Sequence, residues 1–276
     1  MSKIYSFKTF STFLFAILCI TTSCKKQVVK TDLFQSPLIT IQKVSTSTNS
    51  STSINLSKGL IAFYPFNGNA NDASGNNYNG VVTGATLSSD RFGKKNSAYN
   101  FNGLATSNST VIVRDQFIDV PNFIYNFQNK ITISLWALTY PTNYGNFLQR
   151  RTNNTIDFAV SNYAGIDGQT PGPNKITCNF GTIGGVTGST LIAYNTWHNY
   201  TYEYDGSSLK LYLDGVLDGQ QSASGLISNN TTTMNIGRYI YYGGSTYYFY
   251  FNGVMDDIRF YNRVLTQTEI TYLAKH

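Results

Sequence analysis

The sequence predicts an all-β fold of two packed antiparallel sheets, and three observations predict it. Aromatic residues make up 15% of the chain, with 21 Tyr and 18 Phe, while charged residues are only 12%. Aromatic and β-branched side chains fit a pleated surface, whereas long helices need more Ala, Leu, Glu and Lys. Turn dipeptides punctuate the chain: Asn67-Gly68, Asn79-Gly80, Asn102-Gly103, Asp205-Gly206, Asp214-Gly215, Asp218-Gly219 and Asn252-Gly253. Such pairs tolerate the positive φ that tight hairpins demand. Between them lie short alternating runs. In Ile131–Tyr140, Ile131, Ile133, Leu135 and Ala137 fall on one face and Thr132, Ser134, Trp136 and Leu138 on the other. Many strands at this spacing, with no amphipathic helices between them, predict a jelly-roll sandwich.

The first 23 residues read as a leader. Lys3 and Lys8 precede the apolar run Phe10–Ile20, which is too short to cross a membrane comfortably. Thr21-Thr22-Ser23-Cys24 then resembles a bacterial lipobox, with Thr21 where Leu is usual. On this reading Cys24 is acylated and anchors the chain to a membrane, Cys19 is removed, and Cys178 is left without a disulfide partner. Loss of Lys3 and Lys8 lowers the formal charge from +6 by two, to +4. Lys25, Lys26 and Lys30 sit beside the anchor, where anionic head groups attract them. Lys25-Lys26 carries no Asp of the inner-membrane retention kind, so the expected address is the cell envelope at the outer membrane.

Residues 24–57 are rich in Ser, Thr, Lys and Asn, with Ser45–Ser53 almost purely polar. That composition buries too little to offset chain entropy, so a flexible tether is expected there and one domain at 58–276. Strands are expected at Leu60–Phe66, Ala98–Asn102, Thr110–Val113, Ile131–Tyr140, Asn146–Arg150, Ile156–Ser161, Lys175–Phe180, Trp197–Tyr204, Leu209–Leu213, Thr233–Gly237 and Phe251–Tyr261. One helix closes the chain. Thr266-Gln-Thr-Glu269 has capping-box spacing, and Leu265, Ile270 and Leu273 supply an apolar stripe. About two turns cannot stand alone, so the helix must dock on the sandwich.

Five ordered blocks go further: Gly59–Gly75, Asp90–Gly93 with Ser97–Gly103, Ile131–Trp136, Trp197–Val216, and Phe251–Leu265. In this order and spacing they resemble the laminin-G-like jelly-roll modules of the concanavalin A-like lectin/glucanase superfamily, over about residues 59–274. The resemblance implies a sandwich, and a range of functions too broad to assign one. It also implies a structural calcium ion between an early loop and the last strand. Asp72 and one of Asp256 and Asp257 would be its carboxylate ligands, with carbonyls from Gly75 and Asn77. Because Asp256 and Asp257 are adjacent on a strand, only one is expected to look inward. A simpler role suits the same residues: Asp72 and Asn71 closing an Asx turn, and Asp257 pairing with Arg259 or Arg263.

The sequence argues against catalysis. Glycosidases of this superfamily use paired carboxylates, commonly two Glu on one strand. This chain has only Glu203 and Glu269, and Glu269 serves the helix cap. Asp205, near Glu203, sits in a turn. His198 and His276 are the only imidazoles, and Cys178 reads as a small core hydrophobe. No basic stripe interleaved with stacking aromatics is present, which excludes nucleic acid as a natural partner. Trp136 and Trp197 read as core anchors.

The remaining signal is Tyr239–Phe251 (YIYYGGSTYYFYF), eight aromatics about Gly243-Gly244. In an alternating hairpin half of them face solvent, where Tyr rings stack on sugar faces. Tyr241, Tyr242 and Tyr247 are the candidate ligand contacts, with Tyr144 and Tyr163 bordering them. The same residues also suit strand-filling aromatics. A carbohydrate partner, or in its place a cell-surface protein bound in adhesion or assembly, is the expectation.

Overall fold

The computed structural model describes residues 54–103, 115–123, 127, 129–141, 146–151, 156–163, 174–228, 232–242 and 246–276, with the backbone alone at 163 and 241–249. The leader, Cys24, the polar tether to residue 53 and the expected strand Thr110–Val113 lie outside these residues. One compact unit, Thr52–His276, holds everything described.

Two antiparallel sheets form it. The larger has eight strands: β1 (Leu60–Tyr64), β3 (Thr86–Ser88), β4 (Ala98–Asn102), β6 (Ile131–Thr139), β11 (Trp197–Tyr204), β12 (Ser208–Leu213), β13 (Val216–Ser222) and β17 (Asn252–Tyr261). Their order is β13-β12-β11-β6-β17-β4-β3, with β1 also on β17. The smaller has seven: β2 (Val81–Thr83), β5 (Phe117–Val120), β7 (Asn146–Arg151), β8 (Ile156–Tyr163), β9 (Asn174–Asn179), β10 (Gly185–Thr187) and β14 (Met234–Ile236), ordered β10-β9-β8-β7-β14-β5-β2. A separate ribbon pairs β15 (Arg238–Tyr242) with β16 (Thr246–Tyr250). The all-β jelly-roll sandwich with a short C-terminal helix is therefore the fold.

Turn chemistry joins the strands. Between β12 and β13, Asp214 and Gly215 both take positive φ, 51° and 82°, the geometry of a type I′ turn whose twist matches its strands. Between β11 and β12, the Asp205 carboxylate accepts from the backbone N–H groups of Ser207 and Ser208 at 2.8 and 2.7 Å. Asp205 is thus a turn residue, and against the pull of burial the Ser207 and Ser208 hydroxyls, with these backbone bonds, hold its carboxyl below the usual range.

The core lies between the sheets. Ile131, Ile133, Leu135 and Ala137 of β6 are fully buried, facing it as their alternation predicts, and Tyr200, Tyr202 and Tyr204 of β11 join them. Aromatic rings fill the space in tilted and edge-on pairs, such as Phe147 with Tyr200 at 4.6 Å and Phe66 with Tyr99 at 5.0 Å. Cys178 is buried there, and burial pushes its thiol up to about 12, as befits an inert core residue.

A second apolar cluster covers the other face of the larger sheet. The helix α1 (Gln267–Leu273) brings Ile270 and Leu273 onto Tyr212, Tyr261 and Leu265, with Leu56 and Leu60 alongside. Its capping box is present: Thr266 Oγ1 accepts from Glu269 N, and Glu269 Oε2 accepts from Thr266 N. Arg263 grips both Glu269 oxygens at 2.7 and 2.8 Å. Under this cover Thr132 and Ser134 are buried too, so both faces of β6 are enclosed. Trp136 belongs to this outer layer rather than to the core: its Nε1 donates to Leu273 O at 3.1 Å. Trp197 is half-buried at the start of β11. The expectation that both tryptophans anchor the core is corrected accordingly, because each lies on the strand face turned away from the opposite sheet.

Candidate ligand-binding face

Two cross-strand rows run side by side across the seven-stranded sheet. One, through Cys178, Val160, Leu148, Ile236 and Ile118, faces the core. The neighbouring row, on the opposite face, aligns Asn179, Ala159, Gln149, Asn235 and Asp119 in direct register over five strands. Side chains alternate along each strand, so an apolar inner row dictates this outward one. A third row, Ser161, Thr177 and Thr187, runs parallel to it, with the two Thr hydroxyls 3.0 Å apart. The outer face of the smaller sheet therefore carries amides and hydroxyls, of which Gln149, Asn235 and Ser161 are buried.

The aromatic ribbon is fastened onto that face. Gly237 turns the chain out of β14 at φ 79°, and Phe101 ring carbons lie 2.5 and 2.6 Å from where a Cβ would stand, so only glycine fits. Beyond it, Gln149 uses its amide like a strand partner. Its Oε1 accepts from Ile240 N at 2.7 Å and its Nε2 donates to Ile240 O at 3.3 Å. Asn235 donates to Asp119 Oδ1, and Arg238 donates to the same oxygen at 3.3 Å while lying 3.6 Å over the Phe117 ring. At the same end of the ribbon, Tyr250, the strand partner of Arg238, donates through Oη to Asp115. Burial of Asp119 raises its carboxyl pKa, against the pull of Arg238 and Asn235.

Register within the ribbon sorts the candidate tyrosines. Tyr241 pairs directly with Tyr247, and Tyr239 with Phe249. These four positions share one face of the ribbon, and Tyr242 falls on the other with Ile240, Thr246 and Tyr248. Tyr163 ends β8 where it pairs with Asn174. The side chains of Tyr163, Tyr241, Tyr242 and Tyr247, and the whole of Tyr144, lie outside the described residues. The sequence did not single out Gln149, Asn235 or Asp119; only the register of distant strands unites them.

The proposed calcium ligands have other partners. Asp72 Oδ1 accepts from Phe63 N and Ser74 N at 2.9 and 2.8 Å, and Oδ2 from Ser74 Oγ and Tyr78 N at 2.9 and 3.1 Å. Four protein donors engage the carboxylate, which staples the early loop to β1. Gly75 and Asn77 shape that loop at φ 94° and 61°. Asp256 and Asp257 do not take opposite faces: the β17–β6 register shifts between Asp256 and Arg259, and Asp257 has φ 52°. This bulge turns both carboxylates to Arg91, at 2.6 and 2.8 Å, and Asp257 also meets Arg259 at 3.3 Å. Burial and the adjacent Asp257 push Asp256 up to about 7 despite Arg91. Among the described residues, Asp72 and the acid pair share no partner and no group of three metal-ligating side chains converges. As arranged, this set does not fit a calcium ion.

The acids that sequence reasoning tested for catalysis are structural as well. Glu203 is 3% exposed, accepts from Leu265 N at 2.9 Å and Thr132 Oγ1 at 3.2 Å, and so locks the entry to α1. His198 Nδ1 lies 2.7 Å from Asp214 Oδ2 at the β12–β13 turn.

Residues 113–271, more than half of the chain, match the Laminin_G_3 family model of the concanavalin A-like lectin/glucanases superfamily. The chain belongs to that superfamily. No curated protein sequence matches the chain. Among solved structures, it is similar to domain 4 of AbnA, a GH43 extracellular arabinanase from Geobacillus stearothermophilus, in complex with arabinotriose. The identity is 21% over 78% of this chain and 98% of that one, with a TM-score of 0.58. It is also similar to the binding domain of botulinum neurotoxin DC, in complex with rat synaptotagmin II (15% identity, 80% and 52% covered, TM-score 0.59) and with SialylT (15%, 79% and 51%, TM-score 0.57). The chain spans about half the length of those toxin domains. At these identities the likeness is one of fold.

Proposed function

We propose that this chain is a non-catalytic, carbohydrate-recognising module, held at the cell envelope by a lipid on Cys24. The observation that carries the reading is the aromatic ribbon β15–β16 fastened over an amide-lined sheet face. Sugars present apolar ring faces and a rim of hydroxyls, so a site for them joins aromatic platforms to fixed amide and carboxylate partners. The Tyr241–Tyr247 cross-strand pair supplies the platform, and Asn179 and Asp119, the members of the polar row that are not buried, supply polar partners. Absence of catalysis is supported by the carboxylates: Glu203 closes the helix entry and Glu269 caps the helix. Relatives in fold that were solved with arabinotriose and SialylT lend the same reading weight.

A second reading rests on the toxin domain solved with synaptotagmin II, a protein partner. There the ribbon would be an adhesion surface. A glycan-array screen of the purified protein separates the two. Reproducible binding to one glycan class, with no reducing sugar released, supports the lectin reading; a blank array sinks it and leaves the protein-binding one.

A further inference from the structure

The chain enters the described domain on the side that carries α1. Ile54 lines an open groove there with Tyr272, Lys275 and His276. His276 stacks on Tyr272 at 4.0 Å, and its carbonyl accepts from Arg91. The Arg91 guanidinium in turn lies 4.5 Å from the ring centre of Phe92. Ile54, Tyr272 and Phe92 are thus linked along one surface, and all three are exposed, Phe92 at 70%. The turn that carries Phe92 is built to hold it out. Asp90 Oδ1 accepts from Phe92 N and Lys94 N at 2.9 and 2.8 Å, and Gly93 takes φ 81°. Lys94, Lys95 and Lys275 are exposed around it. The acids beside them are engaged, Asp256 and Asp257 by Arg91 and Asp90 by its own turn.

We propose that this surface lies on an anionic lipid bilayer, with Phe92 in the head-group boundary and Lys94, Lys95 and Lys275 on lipid phosphates. A projecting aromatic ring among ammonium groups matches a boundary that is apolar below and negatively charged above. The entry point of the chain favours this face over any other. A lipid on Cys24 reaches the domain through residues that end at Ile54, inside the patch, so the anchor raises the local concentration of bilayer there. The orientation also serves the ribbon. The helix α1 covers the outer face of the larger sheet, whereas the ribbon is fastened on the outer face of the smaller one. Docking through the helix side therefore turns the ribbon away from the bilayer and toward a ligand. The proposal rests on the lipid-anchor reading for the membrane it meets, and adds which face of the domain lies down.

Fluorescence quenching by brominated lipid tests it. The purified chain from Cys24 onward is coupled through that thiol to a maleimide lipid in phosphatidylglycerol/phosphatidylcholine vesicles whose acyl chains carry bromine. Cys178 does not compete, being buried with its thiol pushed up to about 12. Because the coupling supplies the lipid, the result stands whether or not Cys24 is acylated in cells. Two variants report position, each read as a difference from the native spectrum: Phe92→Trp in the patch, and Val81→Trp on the ribbon side, in register with Asp119. Phe92→Trp emission should shift to the blue and fall by at least half, while Val81→Trp emission stays unchanged. Adding Lys95→Glu and Lys275→Glu should cut the quenching of Phe92→Trp by at least about threefold. Unquenched Phe92→Trp emission would overturn the proposal. So would equal quenching of the two reporters, or quenching that survives the charge reversal.

Discussion

Gln149 and Ile240 are joined by two hydrogen bonds, from Ile240 N to Oε1 at 2.7 Å and from Nε2 to Ile240 O at 3.3 Å. A single buried side chain thereby takes the place of a neighbouring strand and fixes the ribbon to the sheet. Gln149→Leu preserves volume and removes both bonds. We expect a loss of about 1–3 kcal/mol from the unpaired backbone groups. We also expect faster hydrogen exchange across Arg238–Tyr242 and at least tenfold weaker glycan binding. Exchange unchanged at Ile240 would show that the ribbon is held by other contacts.

The helix α1 is held through Glu269. Its hydrogen bond to Arg263, reinforced by Thr266, lowers its carboxyl to about 2 against 4.5 for the free group. A lowered acid stabilises the fold in full above pH 4.5, and that contribution is lost as pH falls toward 2. Glu269→Gln should be less stable by about 2 kcal/mol at neutral pH, and should lack this part of the acid-side slope in denaturant titrations from pH 6 to 2.

Glu203 behaves oppositely. Burial raises its pKa, so its charged form is the strained one, and its contribution falls as pH rises through the carboxylate range. Glu203→Gln keeps an acceptor for Leu265 N and Thr132 Oγ1 and should match or slightly exceed native stability at pH 7. Glu203→Ala leaves Leu265 N only its longer bond to Thr132 Oγ1 at 3.3 Å, while the Thr132 hydroxyl keeps Arg263 O at 2.7 Å, and should lose about 1–2 kcal/mol. Neither change should alter glycan binding; a loss of binding in the Gln variant would place Glu203 in the site.

Gly237 redirects the chain from β14 into the ribbon at φ 79°, against Phe101. Gly237→Ala adds both a strained φ and a ring clash, so a loss of at least about 2 kcal/mol is expected. Combined with Phe101→Ala it should cost less than the two single changes added, because the second removes the clash. Strict additivity in denaturant unfolding would contradict this geometry.

Local patterns carried most of the fold into view. The alternation of β6, the Asp205 and Asp214 turns and the Thr266–Glu269 cap are short-range chemistry, and all stand where their residues put them. Three-residue edge strands such as β2, β3 and β10 are too short to show a period. Alternation puts Trp136 on the outward face, but its cover comes from a distant helix, α1, whose Leu273 O accepts from its Nε1. The bulge that turns Asp256 and Asp257 to one side breaks the very alternation that a sequence reader relies on. The binding face was hidden for the same reason: Asn179, Ala159, Gln149, Asn235 and Asp119 come from five strands, and only sheet register lines them up. The aromatic ribbon, by contrast, was visible at once, since its rings crowd into one short stretch of the chain, Tyr239–Tyr250.

The central claim is that the ribbon tyrosines recognise carbohydrate. Its most direct test is calorimetric titration of the best array ligand into the native protein and into the Tyr241→Ala/Tyr242→Ala/Tyr247→Ala variant. The account predicts at least tenfold weaker binding in the variant, with the melting temperature of the sandwich changed by no more than about 3 °C. Native affinity in a folded variant would contradict it.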